Sequence, residues 1–443
     1  METSPTTRSF PTRLLLLTLL AGLLTGTAVT LYVLSTEGLT HLLFFGNPLS
    51  TYDTLPVWYL YAVPTVAILI VNRLIALDPT VREYGVAEIA QAVEEKRYTV
   101  TLRGLILKIF ASVLSLASGF NVGNEGPSAA IGAMIAHKLN ALFHLPRRFV
   151  TLLISIGASS GIAAVFVSPV TGITFALENI AAPFLERLVG PIILGAAVAF
   201  GVANQFLEPL VFHYSTGRRF DYDYLLASLL FLPVMIVTLG LYLILKKRLL
   251  ALLDWLMHRR LGRWRNLFFA LIGGATVGTL LHLAPIAAFS GHQMVAALIN
   301  GQIHISLLLI LTVVLLRILG TVIAIYANAV GGLFLPLMSI GALVGYGYGE
   351  ALNLYGGFAV HSYAFAAIGA AVFMGVVMRL PLTAVVLALE ITYDYNIIVP
   401  TAVTVVLSGY LMNRIFGIEK LTADSPTSLE KTTFRKPNNK DSQ

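Results

Sequence analysis

Apolar runs of membrane length recur along the whole chain, at about 14–34, 55–77, 104–120, 149–178, 188–210, 224–245, 266–286, 305–330, 332–352, 363–378 and 381–416. A bilayer-spanning helix needs about 20 mostly apolar residues. The pattern therefore predicts ten or more membrane helices. Many runs are broken by Gly or Pro, which predicts short, tilted or interrupted helices rather than a uniform bundle. The polar stretch 1–13, with Arg8 and Arg13, precedes the first run in the manner of a signal peptide, but the run continues to Leu34 and no small-x-small cleavage site stands out. A first membrane helix that starts inside is the better expectation. The second run ends at Asp78-Pro79, and the charged segment 82–97 that follows has the spacing of an amphipathic helix after a turn at Gly85. The polar stretch 422–443, with two prolines and no periodicity, is expected to be disordered, leaving no room for an additional soluble regulatory domain.

Two motifs recur at nearly one offset. Pro169, Thr171, Ala176, Leu177 and Glu178 return as Pro381, Thr383, Ala388, Leu389 and Glu390, 212 positions on. Pro127, Ile131, Gly132 and Ala133 return as Pro336, Ile340, Gly341 and Ala342, 209 positions on. The chain thus reads as two related halves, roughly 14–210 and 224–416, and paired Gly/Pro-interrupted segments in such halves point to a binding site near the midplane. Periodicity alone leaves a parallel or an inverted repeat open. The expected divisions are a cytoplasmic N-terminus (1–13), a first membrane repeat (14–210), a connection with a membrane helix and a basic loop (211–265), the rest of the second repeat (266–416) and a polar cytoplasmic tail (417–443).

Within this apolar background stands Gly123-Asn124-Glu125-Gly126-Pro127-Ser128. An unpaired carboxylate at membrane depth costs at least ~2.5 kcal/mol unless it lines a wet or ion-filled cavity, so Glu125 is a functional candidate by default. Gly123 and Gly126 allow a sharp bend, and Pro127 suits the first turn of a helix whose positive end faces back to that bend. A small anion can be held there by backbone amides without a basic side chain. Glu125 would compete with that anion for the amides, and would leave on protonation or displacement.

Composition agrees with the pattern: 57% of the 443 residues are hydrophobic and 12% charged, with a mean hydropathy of +0.82. The formal charge of +7 matters by position. Lys246, Lys247, Arg248, Arg259, Arg260, Arg263 and Arg265 cluster in one connection against the single acid Asp254, which predicts a cytoplasmic loop. Membrane topology already demands such a loop, so no nucleic-acid partner is expected. There is no cysteine, which removes disulfide, haem-attachment and zinc-thiolate chemistry and fits a bacterial inner membrane at least as well as a secreted compartment. The nine histidines show no metal-ligand spacing, and no G-x-x-x-x-G-K-[ST] is present. Neither a metal or organic cofactor nor ATP-driven pumping is expected. Gly157-Ala158-Ser159-Ser160-Gly161 matches a nucleophile elbow only formally, because it lies inside an apolar small-residue run, where close helix packing explains it. No enzyme activity is expected. A cation-coupled solute transporter would also show repeats and a buried acid, and sodium-dependent uptake would mark it.

The segments 83–93, 123–132, 169–178, 331–341 and 381–400, in this order and spacing, resemble the CLC family of chloride channels and chloride/proton exchangers. The resemblance covers nearly the whole membrane region, and the pair G-x-E-G-P and G-x-F-x-P is specific. It implies an all-α polytopic inverted-repeat fold of about 18 helices, several re-entrant or tilted, in a lipid-embedded homodimer with one anion pathway per subunit. It implies transport of chloride or a similar small inorganic anion, with protons as a coupled ion. Glu125 matches the external gating glutamate. The backbone around Gly123, Asn124, Glu125 and Gly126 matches the outer anion site, and Leu333 and Phe334 match the residues whose amides hold the central anion. Glu178 and Glu390 match buried acids of mainly structural role.

The departures bear on mode and selectivity. Where the family reads G-S-G-I-P the chain reads Glu83-Tyr84-Gly85-Val86-Ala87, so Tyr84 and Gly85 stand at the inner anion site with a phenol in place of the serine. Asn124 replaces the arginine of G-R-E-G-P. Asn179 stands where well-understood exchangers carry the inner proton-relaying glutamate. Leu421 occupies the place of a later tyrosine, and Tyr410 lies about three helical turns earlier. These changes leave proton-coupled antiport and gated channel conduction both open, with fluoride or nitrate preference as alternatives to chloride.

Overall fold

The computed structural model describes residues 12–46, 54–82, 101–144, 149–179, 185–208, 222–258, 264–357 and 360–417. Among the described residues there are fifteen α-helices and no sheet, in keeping with the roughly 18 expected for the whole chain. In chain order they are α1 (Thr12–Phe44), α2 (Val57–Leu77), α3 (Leu102–Ala117), α4 (Glu125–Leu142), α5 (Val150–Phe166), α6 (Pro169–Asn179), α7 (Leu185–Ala203) and α8 (Tyr222–His258). The second half continues with α9 (Arg265–Leu283), α10 (His292–Ile299), α11 (Leu307–Tyr326), α12 (Phe334–Ala351), α13 (Ser362–Met378), α14 (Pro381–Thr392) and α15 (Ile398–Phe416). Six helical stretches are long and apolar enough to cross a membrane: α1, α2, the core of α8, α9, α11 and α15 with the turn before it. The segments 83–100 and 418–443, with their expected amphipathic helix and disordered tail, lie outside the described residues.

One long apolar run is broken in the structure where its repeat counterpart was already expected to break. The run at 149–178 divides into α5 and α6 at Val167 (φ 50°), just as Arg379 (φ 59°) separates α13 from α14 between the expected runs 363–378 and 381–416. Both residues are left-handed, each ends one helix, and each is followed two positions later by the proline that opens the next. The basic cluster is also placed differently: Lys246, Lys247 and Arg248 sit on α8, which runs on to His258 rather than stopping near 245.

The duplication extends from motifs to whole elements. α4 and α12 are each 18 residues long with starts 209 apart, and α5 and α13 are each 17 residues long with starts 212 apart. Packing repeats as well. A Cβ on Gly132 would collide with the carbonyl oxygen of Gly157, and one on Gly341 with that of Gly369, so α4 meets α5 and α12 meets α13 backbone to backbone. Small residues are what permit this approach between membrane helices. The G-A-S-S-G stretch belongs to that contact: Ser159 Oγ donates to the Gly172 carbonyl at 2.9 Å, tying α5 to α6.

Candidate functional site

The two glycine-bearing motifs meet each other. Gly123 and Gly332 form an isolated antiparallel bridge in which each N–H donates to the other's carbonyl at 2.7 Å. These residues stand 209 positions apart, so each pairs with its own counterpart and a pseudo-dyad runs between them. The equivalent segments run in opposite directions across it, as an inverted repeat requires. The bridge needs glycine: a Cβ on Gly331 would strike Val122, and one on Gly332 would lie 2.9 Å from the Gly126 nitrogen.

Immediately after the bridge the chain turns into α4 on one side and α12 on the other. Their N-caps, Asn124 and Leu333, are again counterparts, and both are αR without a capping side chain. Pro127 and Pro336 then supply no N–H. The amides of Asn124, Glu125 and Gly126, and those of Leu333, Phe334 and Leu335, donate to no backbone acceptor. Two helix N-termini thus converge with their positive ends and six spare amides around one small region.

Glu125 occupies that region. It is 1% exposed, and neither carboxylate oxygen makes a hydrogen bond of normal geometry. Its Oε2 lies 3.2 Å from where a Gly332 Cβ would be, and a Cβ on Gly123 would collide with it. The carboxylate is therefore folded over both glycines and into the cradle, where it stands in for an anion. No basic side chain bonds to it. The Phe334 ring lies next to that of Phe166 at the end of α5, centroids 5.0 Å apart, which closes one side of the cradle with aromatic carbon.

Glu178 and Glu390 do different work. Glu390 accepts from Val170 N at 3.1 Å, from Thr171 N and Oγ1 at 2.6 Å each, and from Ser168 Oγ, capping the start of α6. Glu178 accepts from Leu382 N at 2.7 Å and from Thr383 N and Oγ1 at 2.7 and 2.6 Å, capping the start of α14. Each half thus supplies the carboxylate that satisfies the other half's helix start. Charge-assisted bonds of this kind account for both acids without any part in transport. Asn179, at the last position of α6, is only partly buried. Tyr84 and Gly85 lie outside the described residues, as does Leu421. Tyr410 sits on α15, its hydroxyl accepting from Arg414 at 3.2 Å, far along the chain from the cradle's residues.

Two buried cations were not singled out by the sequence: Lys108 on α3, 2% exposed, and Arg317 on α11, fully buried. The signal was available, a single basic residue inside each of two apolar runs, 209 positions apart.

Comparison with known proteins agrees with this geometry. The model of the family described as voltage gated chloride channel matches residues 63–413. A curated relative, the H(+)/Cl(-) exchange transporter ClcA of Cronobacter sakazakii (strain ATCC BAA-894), is 29% identical over 349 residues, covering 75% of this chain and 71% of its own. Among solved structures, that of a slow cyanobacterial Cl-/H+ antiporter superposes with a TM-score of 0.82 at 20% identity, covering 94% of this chain and all of the other. A CLC-type fluoride/proton antiporter gives a TM-score of 0.73 at 21% identity, covering 93% of this chain and 97% of the other. The helices, the inverted repeat and the match over most of the sequence together place this multi-pass integral membrane protein in the voltage gated chloride channel (CLC) family.

Proposed function

We propose that the chain carries chloride, or an anion of similar size, across the membrane in exchange for protons, with Glu125 as both gate and proton acceptor. The observation that carries this reading is the buried Glu125 carboxylate folded over Gly123 and Gly332, where the starts of α4 and α12 meet, with no hydrogen-bond partner of its own. Desolvating a small anion requires such preorganised donors, and an anion and a carboxylate cannot occupy one cradle together. Protonating Glu125 removes its charge and its claim on the amides, so the anion enters and a proton is carried on the side chain that leaves. Anion flux is accordingly expected to rise as pH falls. Leu333 and Phe334 would hold the anion on the inward side of the cradle, and Tyr84 with Gly85 would form the inner station. There a Tyr84→Ser change is expected to alter anion preference or throughput, read from chloride, nitrate, bromide and fluoride flux compared in one preparation. Unchanged selectivity would reduce Tyr84 to a space-filling role.

Channel conduction is the second reading, favoured by one residue, Asn179, which cannot relay a proton. One experiment separates the two. Purified protein in chloride-loaded liposomes is followed for anion efflux and external pH together after valinomycin sets the potential. Proton movement driven uphill by the chloride gradient establishes exchange; anion efflux without proton movement establishes conduction. The homodimer expected for the family remains part of the proposal, testable by cross-linking in membranes.

A further inference from the structure

Arg317 is enclosed by carbonyl oxygens. Its Nη1 donates to Ile286 O and Ala288 O, both at 3.2 Å, and its Nη2 to Phe289 O at 3.3 Å and Ser290 O at 2.8 Å. Its Nε donates to Ser339 Oγ at 2.6 Å, on α12 just behind the Phe334 start. No carboxylate is among these partners. A buried charge without a counter-ion is costly unless every donor is satisfied and the site gains something from it.

What the guanidinium grips is connected to the cradle. The segment 286–290 is bonded onward to the turn residues that lead into Gly123: Phe289 N donates to Gly119 O at 2.9 Å, and Asn121 Nδ2 donates to Ala287 O at 2.7 Å. Gly320, one turn from Arg317 on α11, leaves room for Asn121, whose Oδ1 would lie 2.7 Å from a Cβ there. One side chain therefore ties the 286–290 connection, the approach to Glu125 and the start of α12 into a single unit.

The other half carries the counterpart. Lys108 lies 209 positions before Arg317, and its Nζ donates at 3.1 Å to the carbonyl of Val81. Val81 lies 209 positions before Ser290, whose carbonyl Arg317 holds. Beyond Ser290 the chain enters α10; beyond Val81 it enters the segment bearing Tyr84 and Gly85.

We propose that Arg317 and Lys108 are repeat-related positioning residues of the anion pathway. Arg317 clamps the 286–290 connection to the approach to Glu125 and to α12, and Lys108 pins the entry to the segment carrying Tyr84 and Gly85. The proposal rests on the anion-transport reading. Five bonds from three nitrogens require the planar fork of arginine, which lysine, with one nitrogen, cannot reproduce. A clamp and a bare charge are thereby distinguishable.

The test is Arg317→Lys in liposomes, with chloride flux measured over a range of chloride concentrations and normalised to monodisperse protein. The expected result is a half-saturating chloride concentration raised about tenfold, with maximal flux per folded protein changed less than twofold. Mere loss of structure would lower the maximum and leave half-saturation alone. Wild-type half-saturation in Arg317→Lys overturns the clamp. Should that variant not fold, Asn121→Ala decides, since it cuts the tie to the Glu125 approach and leaves the cation in place: a rise of severalfold supports the clamp, and no change overturns it. Lys108→Gln is expected to raise half-saturation likewise, and an unchanged value overturns the pairing. Wild-type protein with no chloride flux at all would instead defeat the transport reading.

Discussion

Glu125 is buried because the chain around it can be nothing but glycine at Gly123 and Gly332, and because six amides want an acceptor there. Glu125→Gln keeps the size and removes the titration. That variant is expected to stop proton movement and make anion flux insensitive to pH between about 5 and 8, measured in the same liposome assay. Flux that still follows pH would end the assignment of Glu125 as the gate. Gly123→Ala tests the space itself, since its Cβ would meet the carboxylate. Displacing Glu125 from the cradle should raise anion flux at neutral pH severalfold while weakening its dependence on pH. Gly123, Glu125 and Gly126 were legible in the sequence from the acid between two glycines. Their convergence was not, because residues 123 and 332 are joined only by a bridge between halves.

At the scale of elements, the reciprocal caps are the most exposed to test. Glu390→Gln replaces two acceptor oxygens by one and turns an amide N–H₂ toward donors on Val170, Thr171 and Ser168. Hydrogen bonds to a charged group are worth about 1.5–3 kcal/mol each, so a loss of about 3 kcal/mol is expected, seen as earlier thermal aggregation in detergent. Anion selectivity of the surviving protein should not change, since neither acid touches the cradle. Gly132→Val would force α4 off the Gly157 carbonyl of α5 and destabilise by about 1–3 kcal/mol or more. Gly201→Ala on α7, with nothing within 4 Å of its Cβ position, should be neutral or stabilising by up to about 1 kcal/mol. Equal thermal shifts in these two glycine variants would contradict the backbone contact. The sequence supplied the motif Pro-x-Thr with its acid nine positions from the proline, twice, but gave no hint that each acid serves the other motif. That exchange of partners is a product of the dyad.

Across the whole molecule, the sequence by itself determined the medium, the duplication and the chemistry of the central motif. Hydrophobic runs fix the bilayer because no other solvent accommodates them, and a near-constant offset of 209 to 212 fixes two equivalent halves. Helix boundaries were less legible. The apolar run at 149–178 carries no charged residue before Glu178 and reads as one stretch, whereas in the structure the left-handed turn at Val167, just before Ser168-Pro169, divides it. Periodicity left the sense of the repeat open and the resemblance implied an inverted one; the tertiary structure supplied the antiparallel bridge that such a repeat requires, since direction is a relation between segments far apart in the chain. It alone decided that two helix starts face one carboxylate, that Glu178 and Glu390 are caps, and that Arg317 is a clamp rather than a stray charge. The physical reason is common to all four. Local patterning reports which groups must leave lipid or find a partner, whereas the identity of the partner depends on how two halves close about an axis that no single stretch of sequence contains.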